Sequence, residues 1–195
     1  MEELTFYQEY ELTYWRHKGL KLGSGGNKKG LKLYLDKINE AQRLPESSEV
    51  AMDVGCGPFG GISLIYPARR WILVDGLNHI YKDMVKRNLS FEYLDCHSEN
   101  ILADDEIVDI VFCTNALDHT VDRQQTLREI YRVLKPGGIF ALCTHCRTIE
   151  MLNEGHRQSF TPSELEVDIY GAGFIECNYI VYESGHATFA GVATK

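Results

Sequence analysis

Five short apolar runs, at residues 50–54, 71–74, 91–94, 107–113 and 139–144, alternate with stretches patterned for helices at 60–66, 79–88 and 122–134. Short, near-continuous apolar runs suit strands buried on both faces. Strands separated by helices cannot be joined by tight turns, so they pair in parallel through crossovers. The last part of the chain differs. Thr161-Pro162-Ser163-Glu164-Leu165 opens a helix, with Thr161 or Ser163 as N-cap. Gly171-Ala172-Gly173-Phe174 ends it, and two strand-like runs at 175–182 and 186–194 follow, joined by Glu183-Ser184-Gly185. That connection has hairpin length. The pattern predicts a three-layer α/β sandwich whose mostly parallel seven-stranded sheet closes in an antiparallel hairpin.

The N-terminal part reads differently again. Residues 3–19 are aromatic, with Phe6, Tyr7, Tyr10, Tyr14 and Trp15. Tyr7, Tyr10 and Tyr14 fall on one helical face. The segment Gly23-Ser24-Gly25-Gly26-Asn27-Lys28-Lys29-Gly30 reads as a flexible joint; it lacks the Gly-Lys-Ser/Thr ending of a P-loop. Leu31, Tyr34, Leu35, Ile38 and Ala41 then mark the buried face of a second helix over 28–43. We expect residues 1–44 to form a helical cap or lid and residues 45–195 the main body, in one structural domain overall. A chain of 195 residues suffices for one sizeable core.

Twenty basic residues against 28 acidic ones leave a net charge of −8, which argues against nucleic acid as a partner. No apolar stretch approaches the roughly 20 residues of a membrane span. The acidic start carries no basic-then-apolar leader, so a cytoplasmic location is expected. In that setting the six cysteines do not make a disulfide framework. Cys143 and Cys146 form a CxxC without a second pair or paired histidines, so no metal site is expected.

In an open parallel sheet, ligands bind beyond the carboxyl ends of the strands, near the point where strand order reverses. Asp53-Val54-Gly55-Cys56-Gly57-Pro58-Phe59-Gly60 follows the first strand and satisfies G-x-G-x-x-G. The glycines permit close approach of a nucleotide-like cofactor, without deciding which. Asp75, after the second strand, has two acceptor oxygens for ribose hydroxyls. Asp95, after the third, suits an exocyclic amine. Asn115-Ala116-Leu117-Asp118-His119 follows the fourth, at the reacting end.

These segments, in this order, resemble the class I S-adenosylmethionine-dependent methyltransferases, particularly the small-molecule methyltransferase-domain type, over about residues 48–194. The resemblance implies a Rossmann-like fold and S-adenosyl-L-methionine as cofactor. Asp53, Gly55, Cys56 and Gly57 would lie by its methionine part, Asp75 and Gly76 at the ribose, Asp95 and Cys96 at the adenine, and Asn115 and Ala116 near the methionine end. Two departures stand out. The first helix, 60–66, is short, and Leu117-Asp118-His119-Thr120 stands where the family often has Leu-Glu-His-Val. The expected reaction is methyl transfer to an oxygen or nitrogen of a small molecule, a metabolite or sugar. A protein acceptor, a non-catalytic cofactor-binding subunit, and a nicotinamide oxidoreductase are the competing readings. Candidates for acid–base work are His145, His119 and Asp118, the last read as a solvated loop carboxylate. Tyr7, Tyr14, Trp15, Arg147 and His156 are the candidates for lining the acceptor site. Nothing in the sequence indicates an oligomeric state.

Overall fold

A computed structural model of the chain describes residues 5–22, 28–153 and 155–195. Residues 23–27, the centre of the expected flexible joint, lie outside the described residues. Helix α1 (Phe6–Leu22) and helix α2 (Lys28–Ala41) precede a seven-stranded sheet. Its strands are β1 (Ser48–Val54), β2 (Ala68–Val74), β3 (Glu92–Leu94), β4 (Val108–Thr114), β5 (Leu134–His145), β6 (Glu176–Glu183) and β7 (Ala187–Thr194), in the order β3-β2-β1-β4-β5-β7-β6. The five strands β1–β5 run parallel, and β7 runs antiparallel to both β5 and β6. Helices α3 (Asn78–Met84), α4 (Arg123–Val133) and α5 (Pro162–Gly171) complete the set.

The period of two along each strand divides the core between the two faces of the sheet. Met52 and Val54, with Ile72, Val74, Val111 and Phe140, pack under Leu127, Ile130 and Val133 of α4 and Leu165 and Ile169 of α5. Their alternates Ala51, Trp71, Leu73, Ile110 and Phe112 pack on the other face with Ile38 of α2, Ile62 and Tyr66. Both strand faces are therefore apolar, which is why the runs read as continuous rather than alternating. From β1 the chain winds outward through β2 and β3, then returns to β4 on the other side of β1. The order thus reverses between β1 and β4, and ligands of such sheets bind at that point.

Three local expectations are corrected. Residues 60–66 form a 3₁₀ turn, Gly61–Leu64, rather than an α-helix. Gly60 and Gly61 sit at φ 89° and 52°, and the buried carboxylate of Asp53 accepts the Ile62 amide at 2.6 Å, which anchors a tight turn. The third helix stops at Met84 instead of 88, with the Val85 amide donating to the Tyr81 carbonyl. The fifth strand begins at Leu134, beside Val108, instead of at 139, and takes in Lys135-Pro136-Gly137-Gly138, while the Gly137 amide donates to the Lys195 carbonyl. At α5 the cap is Thr161: its hydroxyl accepts the Glu164 amide and Glu164 accepts the Thr161 amide, a reciprocal capping box.

Candidate active site

The floor of the site is the turn that leaves β1. Gly55 and Gly57 take left-handed conformations at φ 75° and 59°, which a residue with a Cβ rarely adopts. The Gly55 and Cys56 amides both donate to the Val74 carbonyl at the end of β2. A Cβ on Gly55 would stand 2.3 Å from the Ala116 Cβ, so the turns after β1 and β4 touch at the switch point. Asn115, at φ 53°, supplies the left-handed step out of β4, and its amide donates to Cys143 at 2.7 Å.

Asp75 joins the turns after β1 and β2. Its Oδ2 accepts the Gly57 amide and its Oδ1 the Leu77 amide, each at 3.0 Å. Burial pushes its carboxyl up to about 6, against the pull of these two amides. Asp53 is fully buried. Burial pushes it up to about 8, with the Ile62 amide opposing and Asp75 adding to the rise. One Asp53 oxygen holds Ile62, and the other, Oδ1, is buried without a hydrogen-bond partner within the protein.

The remaining predicted cofactor residues lie on the same edge. Gly76 accepts the Gln8 side-chain amide at 3.4 Å and lies under His97, whose ring would come within 3.2 Å of a Cβ there. Asp95 follows β3, where its Oδ1 accepts the His79 amide at 3.2 Å and meets His79 Nδ1 at 2.8 Å. Cys96 beside it is buried and accepts the Leu102 amide through sulfur. Cys56 is also buried, its thiol pushed well up by that burial.

The reacting end gathers around Asp118, and here the expectation of a solvated carboxylate is corrected. Asp118 is fully buried, and Arg147 Nε lies 2.8 Å from its Oδ2. Arg147, expected to meet an acceptor, is buried and committed to this ion pair. The Asp118 carbonyl accepts the Arg157 and Gln158 amides, which ties the 153–160 segment to the turn after β4. His119 lies between Asp118 and Glu11: its Nδ1 is 3.0 Å from Glu11 Oε1, off the line of a good hydrogen bond. Burial pulls the His119 pKa down, but Glu11 and Asp118 together raise it. His145 ends β5 with Nδ1 3.0 Å from the Thr188 hydroxyl; burial pulls it down and favours the neutral ring.

Helix α1 lies across this edge. Leu12 packs with Leu77 and Tyr81, and the Trp15 indole would stand 3.2 Å from a Cβ on Gly57, edge-on to Phe59. Tyr7 lies under the Arg157 guanidinium, and the Tyr10 ring packs on Gly155. Tyr14 packs edge-on against Trp15 and is 41% exposed. The two regions expected to govern the acceptor, α1 and the segment after β5, are therefore in contact. Glu11, Gln8, His79 and His97 also reach the site. The sequence carried no signal for Glu11 or Gln8, because α1's apolar pattern marks where it packs and not which polar groups face inward.

A model of the methyltransferase domain family matches residues 52–142, the stretch from β1 through most of β5. The motif order and the reversal of strand order at the glycine turn agree with that match. Over that stretch the chain is similar to the methyltransferase domain family. Among similar proteins, thiol S-methyltransferase TMT1A of Homo sapiens is 32% identical over 108 residues, 52% of this chain and 44% of that protein. Malonyl-[acyl-carrier protein] O-methyltransferase of Salmonella typhimurium is 30% identical over 125 residues, 58% of this chain and 49% of that protein. The matched part spans about half the length of these curated relatives. An S-adenosylmethionine-dependent methyltransferase from Thermotoga maritima has a TM-score of 0.71 at 17% identity, with 98% of this chain and 100% of that chain covered. Phosphoethanolamine N-methyltransferase 2 of Haemonchus contortus, solved with S-adenosyl-L-methionine, has a TM-score of 0.74 at 15% identity, covering 100% of this chain and 60% of that chain. These structural likenesses establish the shared fold. No helix among the described residues is long and apolar enough to cross a membrane.

Proposed function

We infer that the chain is an S-adenosylmethionine-dependent methyltransferase acting on an oxygen or nitrogen of a small molecule in the cytoplasm. The observation that carries this reading is the joined floor: Asp75 holds the Gly57 amide while Gly55 abuts Ala116, so the ends of β1, β2 and β4 meet at one edge of the sheet. Its donor set suits this cofactor. The partnerless Asp53 Oδ1 fits a cationic ammonium better than a phosphate, and Asp75 keeps lone pairs for ribose hydroxyls beyond the two amides it accepts. The glycine turn has no basic side chain for a pyrophosphate.

When bound, the cofactor supplies an activated methyl group on a sulfonium. The protein's share is then alignment and exclusion of water, which in oriented reactions is worth roughly 7–11 kcal/mol. Trp15, Tyr7 and Tyr10 supply that cover, with α1 acting as the lid and α2 packed into the body of the sheet. For an acceptor that must lose a proton, we assign the base to His145, whose neutral ring is held at Nδ1 by Thr188. Asp118 and Arg147 position the turn after β4 through their ion pair. The relatives' names span a sulfur acceptor, a thiol, and an oxygen acceptor, a malonyl group borne on an acyl-carrier protein; the latter supports an oxygen acceptor here.

The test is turnover. Purified protein with S-adenosyl-L-methionine and a panel of small hydroxyl, amine and thiol acceptors should release S-adenosylhomocysteine with an oxygen or nitrogen acceptor. Exclusive turnover of thiols would replace the acceptor class. Cofactor binding without turnover on any small molecule, a protein substrate or a partner would favour the non-catalytic reading.

A further inference from the structure

We propose that Asp118, His119 and His156 form a binding site for one divalent first-row transition-metal cation. One ligand atom from each lies within 4.8 Å of the others. His119 Nε2 is 3.8 Å from Asp118 Oδ1, and His156 Nε2 is 3.9 Å from Asp118 Oδ2. The far side of each ring already has an oxygen: His119 Nδ1 faces Glu11 Oε1 at 3.0 Å, and His156 Nδ1 faces Asn153 Oδ1 at 3.0 Å. A hydrogen-bonded oxygen on the second ring nitrogen orients metal-ligating histidines and keeps them basic; Asn153 does so for His156, and Glu11 stands beside His119 Nδ1 where a small turn of the ring would align it. The two rings lie with centroids 4.4 Å apart, tilted by 48°, so one ion can reach both.

A cation about 2.1 Å from each donor would draw the ligand atoms to roughly 3.4 Å apart. Rotation of two partly exposed imidazoles supplies that shift. Arg147 occupies one side of Asp118 and opposes the added positive charge, while Glu11 and the Asp118 carboxylate counter it. Among the described residues, Asp118 Oδ1 is otherwise held by the Thr144 hydroxyl alone, at 3.4 Å. Two imidazoles and one carboxylate favour zinc, iron, nickel or copper over magnesium. The sequence did not disclose the site, because His156 is remote from Asp118-His119 along the chain and the hydrogen bonds from Arg157 and Gln158 bring it back.

The site is independent of the methyl-transfer reading, and its test has its own readout. Co²⁺ alone, titrated into the full chain, should bind at one equivalent with visible absorption bands and be displaced by Zn²⁺. His119→Ala and His156→Ala should each abolish the bands, and Glu11→Gln should weaken binding by about tenfold to a hundredfold. His17→Ala, on the exposed face of α1, should bind as the wild type does. If His119→Ala does not fold by circular dichroism, His156→Ala and Glu11→Gln decide. Absence of Co²⁺ and Zn²⁺ binding, or binding retained in a folded histidine variant, overturns the proposal.

Discussion

Asp75 Oδ2 accepts the Gly57 amide at 3.0 Å, across the gap between the ends of β2 and β1. One carboxylate therefore holds the glycine turn in its left-handed form and offers its remaining lone pairs at the same edge. A substitution at Asp75 removes a ligand contact and a brace together. Trp15 closes the same turn from above, which makes the indole a reporter of what enters.

Cofactor binding should change the fluorescence of Trp15. The indole lies on Gly57, where the methionine part of the cofactor is expected, whereas Trp71 is buried in the core on the far face of the sheet. Titration with S-adenosylhomocysteine should shift or quench tryptophan emission, and Trp15→Phe should remove the change while calorimetry still detects binding. An unchanged signal at saturation in the wild type would mean that α1 does not cover the cofactor.

Arg147→Met should destabilise the fold by about 3–5 kcal/mol, because it leaves the fully buried Asp118 carboxylate without its partner. The double variant Asp118→Ala with Arg147→Met should recover most of that loss, since it removes the orphaned charge. Urea unfolding of the three proteins checks this. A loss below about 1 kcal/mol in the single variant would place the pair among exposed ion pairs instead.

Much of this was legible in the sequence, for identifiable reasons. The strand–helix alternation and the Glu183-Ser184-Gly185 hairpin gave the sheet, because burial on both faces writes continuous apolar runs. Thr161 was legible as a cap because its chemistry is local. The 3₁₀ turn at Gly61–Leu64 was not, since it depends on Asp53 reaching the Ile62 amide nine residues on. Asp118 was misread for the same reason: its burial comes from Arg147, a residue 29 positions away in the chain. Spacing within one element identifies caps and faces; which polar groups meet across elements is decided by the fold.

The stability difference between wild type and Asp53→Asn should depend on pH. The folded carboxyl is held up to about 8 by burial, against an ordinary value of 3.8. Between these limits the folded state keeps a proton that the unfolded chain has lost, so the wild type loses stability relative to the variant as pH rises from about 4 to about 8. Asparagine can still accept the Ile62 amide, so the variant lacks this dependence. Urea unfolding free energies of both proteins across that range check the sign. A difference that is flat, or that moves in the wild type's favour with pH, would contradict the burial of an unpaired Asp53.

The glycine turn should serve S-adenosylmethionine and not a dinucleotide. Isothermal titration of the wild type and Asp75→Ala with S-adenosylhomocysteine and with NAD tests it most directly. The wild type should bind S-adenosylhomocysteine and not NAD, and Asp75→Ala should weaken that binding about tenfold or more, which is about 1.4 kcal/mol. Binding of NAD in place of S-adenosylhomocysteine, or affinity unchanged in Asp75→Ala, would contradict it.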